Sequence, residues 1–112
     1  MNWEKVKYQK NNLFRIPAKS GLYVICKENK NSFLNFPINN DVIYVGKSNN
    51  LNRRVSEHLS NNETNGELLG IEKNCNLTVF WINLSDSYIT SAEKQLIRDL
   101  KPSANKIGFK QY

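Results

Sequence analysis

The segment from residue 41 to residue 59, DVIYVGKSNNLNRRVSEHL, contains four side chains that could act together on a phosphate. Tyr44 leaves an apolar run, Lys47 follows it, and Arg54 and His58 stand four residues apart in the polar stretch beyond. Side chains four apart in a helix lie on one face. We therefore expect a phenol, two cations and an imidazole to point toward one small volume.

A strand, a turn at Gly46 and a helix must position these groups. Residues 42–46 are mostly apolar and β-branched, as in a strand. The segment that follows has apolar side chains at helical spacing, namely Leu51, Val55 and Leu59. Residues 21–27, GLYVICK, predict an earlier strand, antiparallel to the second because no helix separates the two.

Two further elements are predicted near the end of the chain. Residues 76–83, NLTVFWIN, indicate a third strand that is central, because both of its faces are apolar. Asp86 is expected to cap a final helix that stops at Lys101 and Pro102. Between the first helix and the third strand, residues 61–74 predict a short helix or helical turn broken by two glycines.

Glu93 interrupts the apolar stripe of the final helix, four residues from both Ile89 and Ile97. An ionised carboxylate in a core costs several kcal/mol unless it is paired or binds a cation. One interpretation places Glu93 at the edge of the stripe, reaching water or a structural arginine. The other makes it a neighbour of the Arg54 and His58 cluster.

Composition limits the classes of protein that fit. With 112 residues the chain can build one domain around one core. No window approaches the ~18 apolar residues of a membrane span, and the N-terminus lacks the pattern of a secretory signal, so we expect a cytoplasmic protein. Cys26 and Cys75 lack the spacing of a zinc site and are expected to be small buried side chains. The net charge of +6 favours a polyanionic partner, although a solvated basic surface explains it too.

Two triplets, Gly21-Leu22-Tyr23 and Tyr44-Val45-Gly46, resemble the paired signature of the GIY-YIG nuclease superfamily, with Leu and Val each in place of Ile. In that family the second tyrosine is followed by a lysine, an arginine on a helix, a His or Tyr four residues later, a glutamate on a later helix and then an asparagine. The matching positions here are Tyr44, Lys47, Arg54, His58, Glu93 and Asn105. Arg54 is a better match than Arg53, because only Arg54 shares a helix face with His58.

The resemblance spans nearly the whole chain and implies an α+β fold, a three-stranded antiparallel sheet flanked by helices. The strand and helix order read from the residues agrees with it. We expect a single nuclease-like domain over residues 1–112, with a packed N-terminal arm at 1–19 and a motif-bearing core at 21–105.

The resemblance also implies roles for the residues. Glu93 would hold one divalent cation, Mg²⁺ in the first instance or Mn²⁺, and Arg54 would grip the scissile phosphate. Tyr23 is the first candidate for the base that activates water, with its action relayed through His58. His58 itself is the second candidate. Tyr44 and Lys47 would assist, and Asn105 would position the site. The structural alternatives are that the two tyrosines form an aromatic pair, that His58 is a half-exposed helix residue and that Asn105 closes a turn.

These features predict a metal-dependent endonuclease that cuts DNA, favoured over RNA, with sequence preference low or supplied by a dimer or a protein partner. Four basic residues are expected to form a rim on the nucleic-acid backbone, or else to be merely solvated: Arg53, Lys101, Lys106 and Lys110. A non-catalytic nucleic-acid-binding module on the same fold is the main alternative. A third is a basic domain that binds an acidic protein, which predicts no salt-dependent affinity for DNA.

Overall fold

The two apolar runs that predicted strands pair with each other at the centre of a sheet. The computed structural model describes residues 3–27, 41–59 and 77–102. In chain order the regular elements are β1 (Glu4–Lys7), a 3-10 helix (Lys10–Arg15), β2 (Gly21–Lys27), β3 (Asp41–Ser48), α1 (Leu51–Leu59), β4 (Thr78–Asn83) and α2 (Asp86–Leu100).

The strands form one antiparallel sheet in the order β1-β4-β2-β3. β4 is central, as its two apolar faces predict, and β2 and β3 are antiparallel neighbours. In the register of the sheet, Tyr23 of β2 lies opposite Gly46 of β3 and Trp81 of β4. The α+β class is thereby confirmed, and β3 is an edge strand of the described sheet.

The predicted number of strands was wrong, because the sheet has four strands and not three. The additional strand is β1, within the arm predicted merely to pack, and it pairs with β4 from Glu4 opposite Trp81 to Lys7 opposite Thr78. Its sequence EKVK buries only Val6. So short and charged a segment has little intrinsic preference for a strand and depends on its partner.

Several element boundaries also differ from prediction. β3 continues through Gly46 to Ser48, so Lys47 lies on the strand and not in a turn. The N-cap of α2 is Ser85 and not Asp86 as predicted. Asp86 is the first helical residue, and its carboxylate interacts favourably with the positive end of the helix dipole. The helix ends at Leu100 as predicted, and Lys101 follows in the left-handed conformation with φ of 49°.

Each face of the sheet has its own core. On one face, α1 and the 3-10 helix cover alternate residues of β2 and β4, including Tyr23, Ile25, Val79 and Trp81. On the other, α2 packs through Ile89 and Ile97 on the intervening residues, including Leu22, Val24, Val45 and Phe80. The two helices that carry the predicted site residues therefore lie on opposite faces.

Some predictions fall outside the described residues, namely the short helix at 61–74, the environment of Cys75 and the expected roles of Asn105, Lys106 and Lys110. Cys26 is fully buried, as predicted. Of the helices in the ranges that are described, none has the length and apolarity that a membrane crossing requires.

Candidate active site

Tyr23 and His58 form a buried hydrogen-bonded pair. The Tyr23 hydroxyl lies 2.6 Å from Nε2 of His58, and the two side chains are 0% and 1% exposed. With the imidazole proton on Nδ1, the hydroxyl donates to Nε2. The alternative in which His58 is a half-exposed helix residue is wrong, because its side chain lies in the core.

Tyr44 completes a cluster of three rings. Its ring centroid lies 6.0 Å from that of Tyr23, nearly parallel, and 5.1 Å from that of His58, edge to face. The Tyr23 and His58 centroids are 5.5 Å apart. Tyr44 is half-buried, so the cluster extends from the core toward the surface along β3.

Arg54 is the cation beside these tyrosines. Burial raises the pKa of Tyr23 well above its ordinary value and Tyr44 raises it further, whereas the charge and hydrogen bonding of Arg54 lower it. Burial alone would lower the pKa of Arg54, but Tyr23 and Tyr44 outweigh it and leave that pKa above its usual value. Arg54 also lies 3.8 Å from the Glu57 carboxylate on the same helix. Tyr23 therefore stays protonated and Arg54 charged at neutral pH.

Gly46 makes room for the Tyr23 ring. A β-carbon at Gly46 would collide with the ring and the hydroxyl of Tyr23 on the neighbouring strand. The backbone of Gly46 has no positive φ, so what the site needs at this position is close approach and not unusual conformation. The glycine allows the phenol to lie across β3 and reach His58.

A second group forms on the α2 side of β3. The Lys47 ammonium donates a 2.8 Å hydrogen bond to Oγ1 of Thr90. Glu93 follows Thr90 by one helical turn and is half-buried. Burial raises the pKa of the Glu93 carboxyl, and Lys47 and Lys94 pull it back only in part. A carboxylate with incomplete charge compensation thus stands beside a lysine.

The prediction that Tyr44, Lys47, Arg54 and His58 point toward one small volume is wrong for Lys47, because the contacts join the predicted site residues into two groups. Tyr23, Tyr44, Arg54 and His58 interact directly on the α1 face, whereas Lys47 and Glu93 lie on the α2 face. The charges that act on the Glu93 carboxyl are those of Lys47 and Lys94. β3 carries a member of each, Tyr44 and Lys47, so the two groups flank this edge strand. Of the predicted rim, Arg53 and Lys101 are exposed.

Sequence reasoning missed two positions that shape the site. Thr90 holds Lys47, and its spacing of three residues from Glu93 was the available signal. The role of Gly46 was hidden, because the collision it avoids involves a residue on another strand.

Comparison with known proteins identifies the family. The family model described as the GIY-YIG catalytic domain matches residues 19–107. The chain belongs to the GIY-YIG family. The UvrABC system protein C of Rickettsia rickettsii (strain Sheila Smith) is 31% identical over 96 residues, covering 86% of this chain and 13% of that protein. The protein of the same name from Rickettsia bellii is 30% identical over the same length. The chain thus spans a small part of these relatives.

Solved structures show the same fold. The GIY-YIG N-terminal endonuclease domain of UvrC from Thermotoga maritima superposes with a TM-score of 0.62 at 18% identity, covering 86% of this chain and 92% of that domain. The form of that domain bound to magnesium superposes with a TM-score of 0.61 at 19% identity, covering 86% and 93%. The family shares the topology even where few side chains are identical.

Proposed function

We propose that this GIY-YIG domain is a metal-dependent endonuclease that hydrolyses phosphodiester bonds in DNA. The observation that carries the proposal is the buried hydrogen bond between Tyr23 and His58 with Arg54 beside it. We further propose cytoplasmic action and a sequence preference that is low or supplied by a partner or a second copy.

Tyr23 and His58 provide a path for the proton of the attacking water. Because its raised pKa keeps Tyr23 protonated, the phenol cannot act as a pre-formed base. Its oxygen accepts the proton of water while its own proton passes to Nε2 of His58. The water oxygen then forms a bond to phosphorus as the bond to the leaving oxygen breaks. His58 lies in the last turn of α1, where the helix dipole favours the charge it receives.

Arg54 is placed to bind the phosphate under attack. Its planar guanidinium can donate two parallel hydrogen bonds to phosphoryl oxygens, which a lysine cannot do. Its 39% exposed side chain still reaches solvent, so a substrate can approach it. Lys47, held by Thr90, adds a second positive charge on the other side of β3. Asn105 keeps its proposed positioning role.

The residues present fit a single hard cation. Nowhere in residues 3–27, 41–59 and 77–102 do three or more His, Cys, Asp or Glu side chains converge. Glu93 offers one half-buried carboxylate, and Mg²⁺ accepts one or two carboxylates because it keeps several waters. When bound, the ion neutralises charge on the phosphoryl and leaving oxygens. The Thermotoga domain is described as bound to its catalytic divalent cation, magnesium in one form, which supports this assignment.

Supercoiled plasmid tests the proposal. We expect nicking with Mg²⁺, none with EDTA, and at least a ~100-fold loss of rate in Glu93→Ala. Asp99→Ala, an exposed carboxylate on the same helix, is the matched control and should nick normally. Salt-sensitive binding without nicking would identify a non-catalytic module instead. Faster cleavage of a matched RNA duplex would overturn the choice of DNA.

A further inference from the structure

The N-terminal arm exposes an aromatic ring that the proposed reaction does not use. Phe14, in the 3-10 helix, is 78% exposed, and the guanidinium carbon of Arg15 lies 5.8 Å from its ring centroid. Single-strand-binding sites combine an open aromatic ring, on which a base can stack, with basic side chains that contact the backbone, and Phe14 and Arg15 supply both.

The arm also concentrates positive charge. Residues 3–20 contain five basic side chains and one acidic side chain, a net charge of +4, against +6 for the whole chain. All five are exposed: Lys5, Lys7, Lys10, Arg15 and Lys19. The aromatic ring therefore lies within a basic part of the sequence, which complements a phosphate backbone.

Hydrogen bonds hold the arm on α1. The Asn52 side chain donates to the carbonyls of Leu13 at 2.7 Å and Ile16 at 3.0 Å, and its backbone N–H donates to Pro17 at 3.1 Å. Phe14 and Arg15 lie between two of these anchored positions. The ring thus has a fixed place relative to the helix that carries Arg54 and His58.

The surface of α1 connects the arm to the site. Successive helical residues are ~100° apart, so Asn52 on the flank toward the arm and Arg54 on the flank toward Tyr44 are separated by Arg53 on the outer side. Arg53 is exposed. Arg53 thus lies between the flank of α1 that faces the arm and the flank that carries Arg54.

We propose that the arm binds a single-stranded segment of the substrate next to the cleavage site. Phe14 stacks on an unpaired base, while Arg15 and Lys10 contact its phosphates. Stacking requires an open base face, which a continuous duplex does not offer, so the preferred substrate has unpaired nucleotides beside the scissile bond. This inference rests on the proposed function for its substrate.

Binding in EDTA tests the inference without requiring cleavage. We expect Phe14→Ala to weaken the affinity for a single-stranded oligonucleotide by about fivefold or more, and Phe14→Trp to retain it. For a blunt duplex both should differ from the wild type by less than about twofold. Tyr88→Ala, which removes a second exposed large ring of the described residues at 68% exposure, is the matched control and should bind like the wild type.

Two further readouts separate stacking from a general loss of affinity. Trp3 and Trp81 are buried, so in Phe14→Trp a single strand should quench the red-shifted emission of the added, solvent-exposed indole and not the emission of the buried ones. Arg15→Ala should reduce the salt slope of single-strand binding by ~0.7. Equal affinity for the single strand in Phe14→Ala and wild type would overturn the inference. If Phe14→Ala instead changed only the self-association of the protein, the ring would contact a second copy and the inference would also be wrong. Because binding is measured in EDTA and does not depend on cleavage, failure of cleavage alone leaves the two proposals distinguishable.

Discussion

The protonation state of Tyr23 decides which role the residue can take. A buried phenol with a raised pKa is a poor base at neutral pH, yet its oxygen can accept a proton while it gives its own to His58 2.6 Å away. In the proposed reaction Tyr23 and His58, the first and second candidates for the general base, are parts of one path. The family resemblance implied a relay through His58, but the residues alone could not show the hydrogen bond, because it joins side chains on β2 and α1.

The raised pKa of Tyr23 predicts a specific loss of stability in alkali. Burial makes the folded state hold the phenol proton more tightly than the unfolded chain, whose tyrosine has the ordinary value of 10.0. The stabilisation is complete below about pH 10 and is lost as pH rises from there toward the folded-state pKa. In urea unfolding from pH 8 to 11, the wild type should lose stability more steeply than Tyr23→Phe. Tyr88→Phe, at an exposed tyrosine, should follow the wild type; parallel curves for all three would contradict the assignment.

The Glu93 carboxylate should destabilise the fold although the proposed reaction needs it. Burial raises the pKa of its carboxyl above 4.5. The ionised carboxylate therefore destabilises the folded state at pH values above the raised pKa, and this effect is absent below the ordinary pKa, where the carboxyl is protonated in both states. Glu93→Gln should therefore be more stable than the wild type at pH 7, by less than about 1 kcal/mol after solvent screening, and equal to it below about pH 4.

Magnesium provides the second readout at Glu93. Because a ligand that binds only the folded state raises its melting temperature, Mg²⁺ should stabilise the wild type and Asp99→Asn but not Glu93→Gln. A shift of equal size in Glu93→Gln would place the cation elsewhere.

At the scale of elements, the sequence predicted those whose composition and period decide their structure. β2 matches its predicted bounds, and α1 and α2 follow their helical stripes. β1 escaped prediction because four residues, three of them charged, are held by the register with β4, which involves residues more than seventy positions away. The end of β3 was placed too early because glycine at position 46 suggested a turn, whereas it serves a close approach to Tyr23.

That close approach predicts coupling between Gly46 and Tyr23. Gly46→Ala should destabilise the fold by about 1 to 3 kcal/mol, because the added methyl collides with the Tyr23 ring in a packed core. In a Tyr23→Ala background the same substitution should cost much less. A double-mutant cycle by chemical denaturation measures the difference; equal costs in both backgrounds would show that some other contact is responsible.

At the scale of the whole molecule, the sheet divides the proposed machinery. The α1 face holds the proton path and Arg54, and the α2 face holds Lys47 and Glu93. The spacing of Arg54 and His58 predicted one helix face, and that part of the site could be inferred locally. The placement of Glu93 could not, because it depends on which face α2 covers. A substrate phosphate at the β3 edge would bring the two groups into one reaction.

The charge of the molecule predicts how binding responds to salt. With a net charge of +6, the affinity for duplex DNA in EDTA should fall linearly with the logarithm of salt concentration, with a slope of ~0.9 for each phosphate contacted. Fluorescence anisotropy from 50 to 300 mM salt measures the slope, and Arg53→Ala should reduce it by about one unit. Affinity that is independent of salt would favour an acidic protein as the partner.

A crystal structure of Tyr23→Phe with Mg²⁺ and an uncleaved DNA tests most directly whether the two groups serve one reaction. This variant removes the proton path while leaving Arg54 and Glu93 in place. We expect one cation at the Glu93 carboxylate and the scissile phosphate ~3 Å from the Arg54 guanidinium, at the β3 edge. A cation bound away from Glu93, or a phosphate that reaches only one face of the sheet, would contradict it.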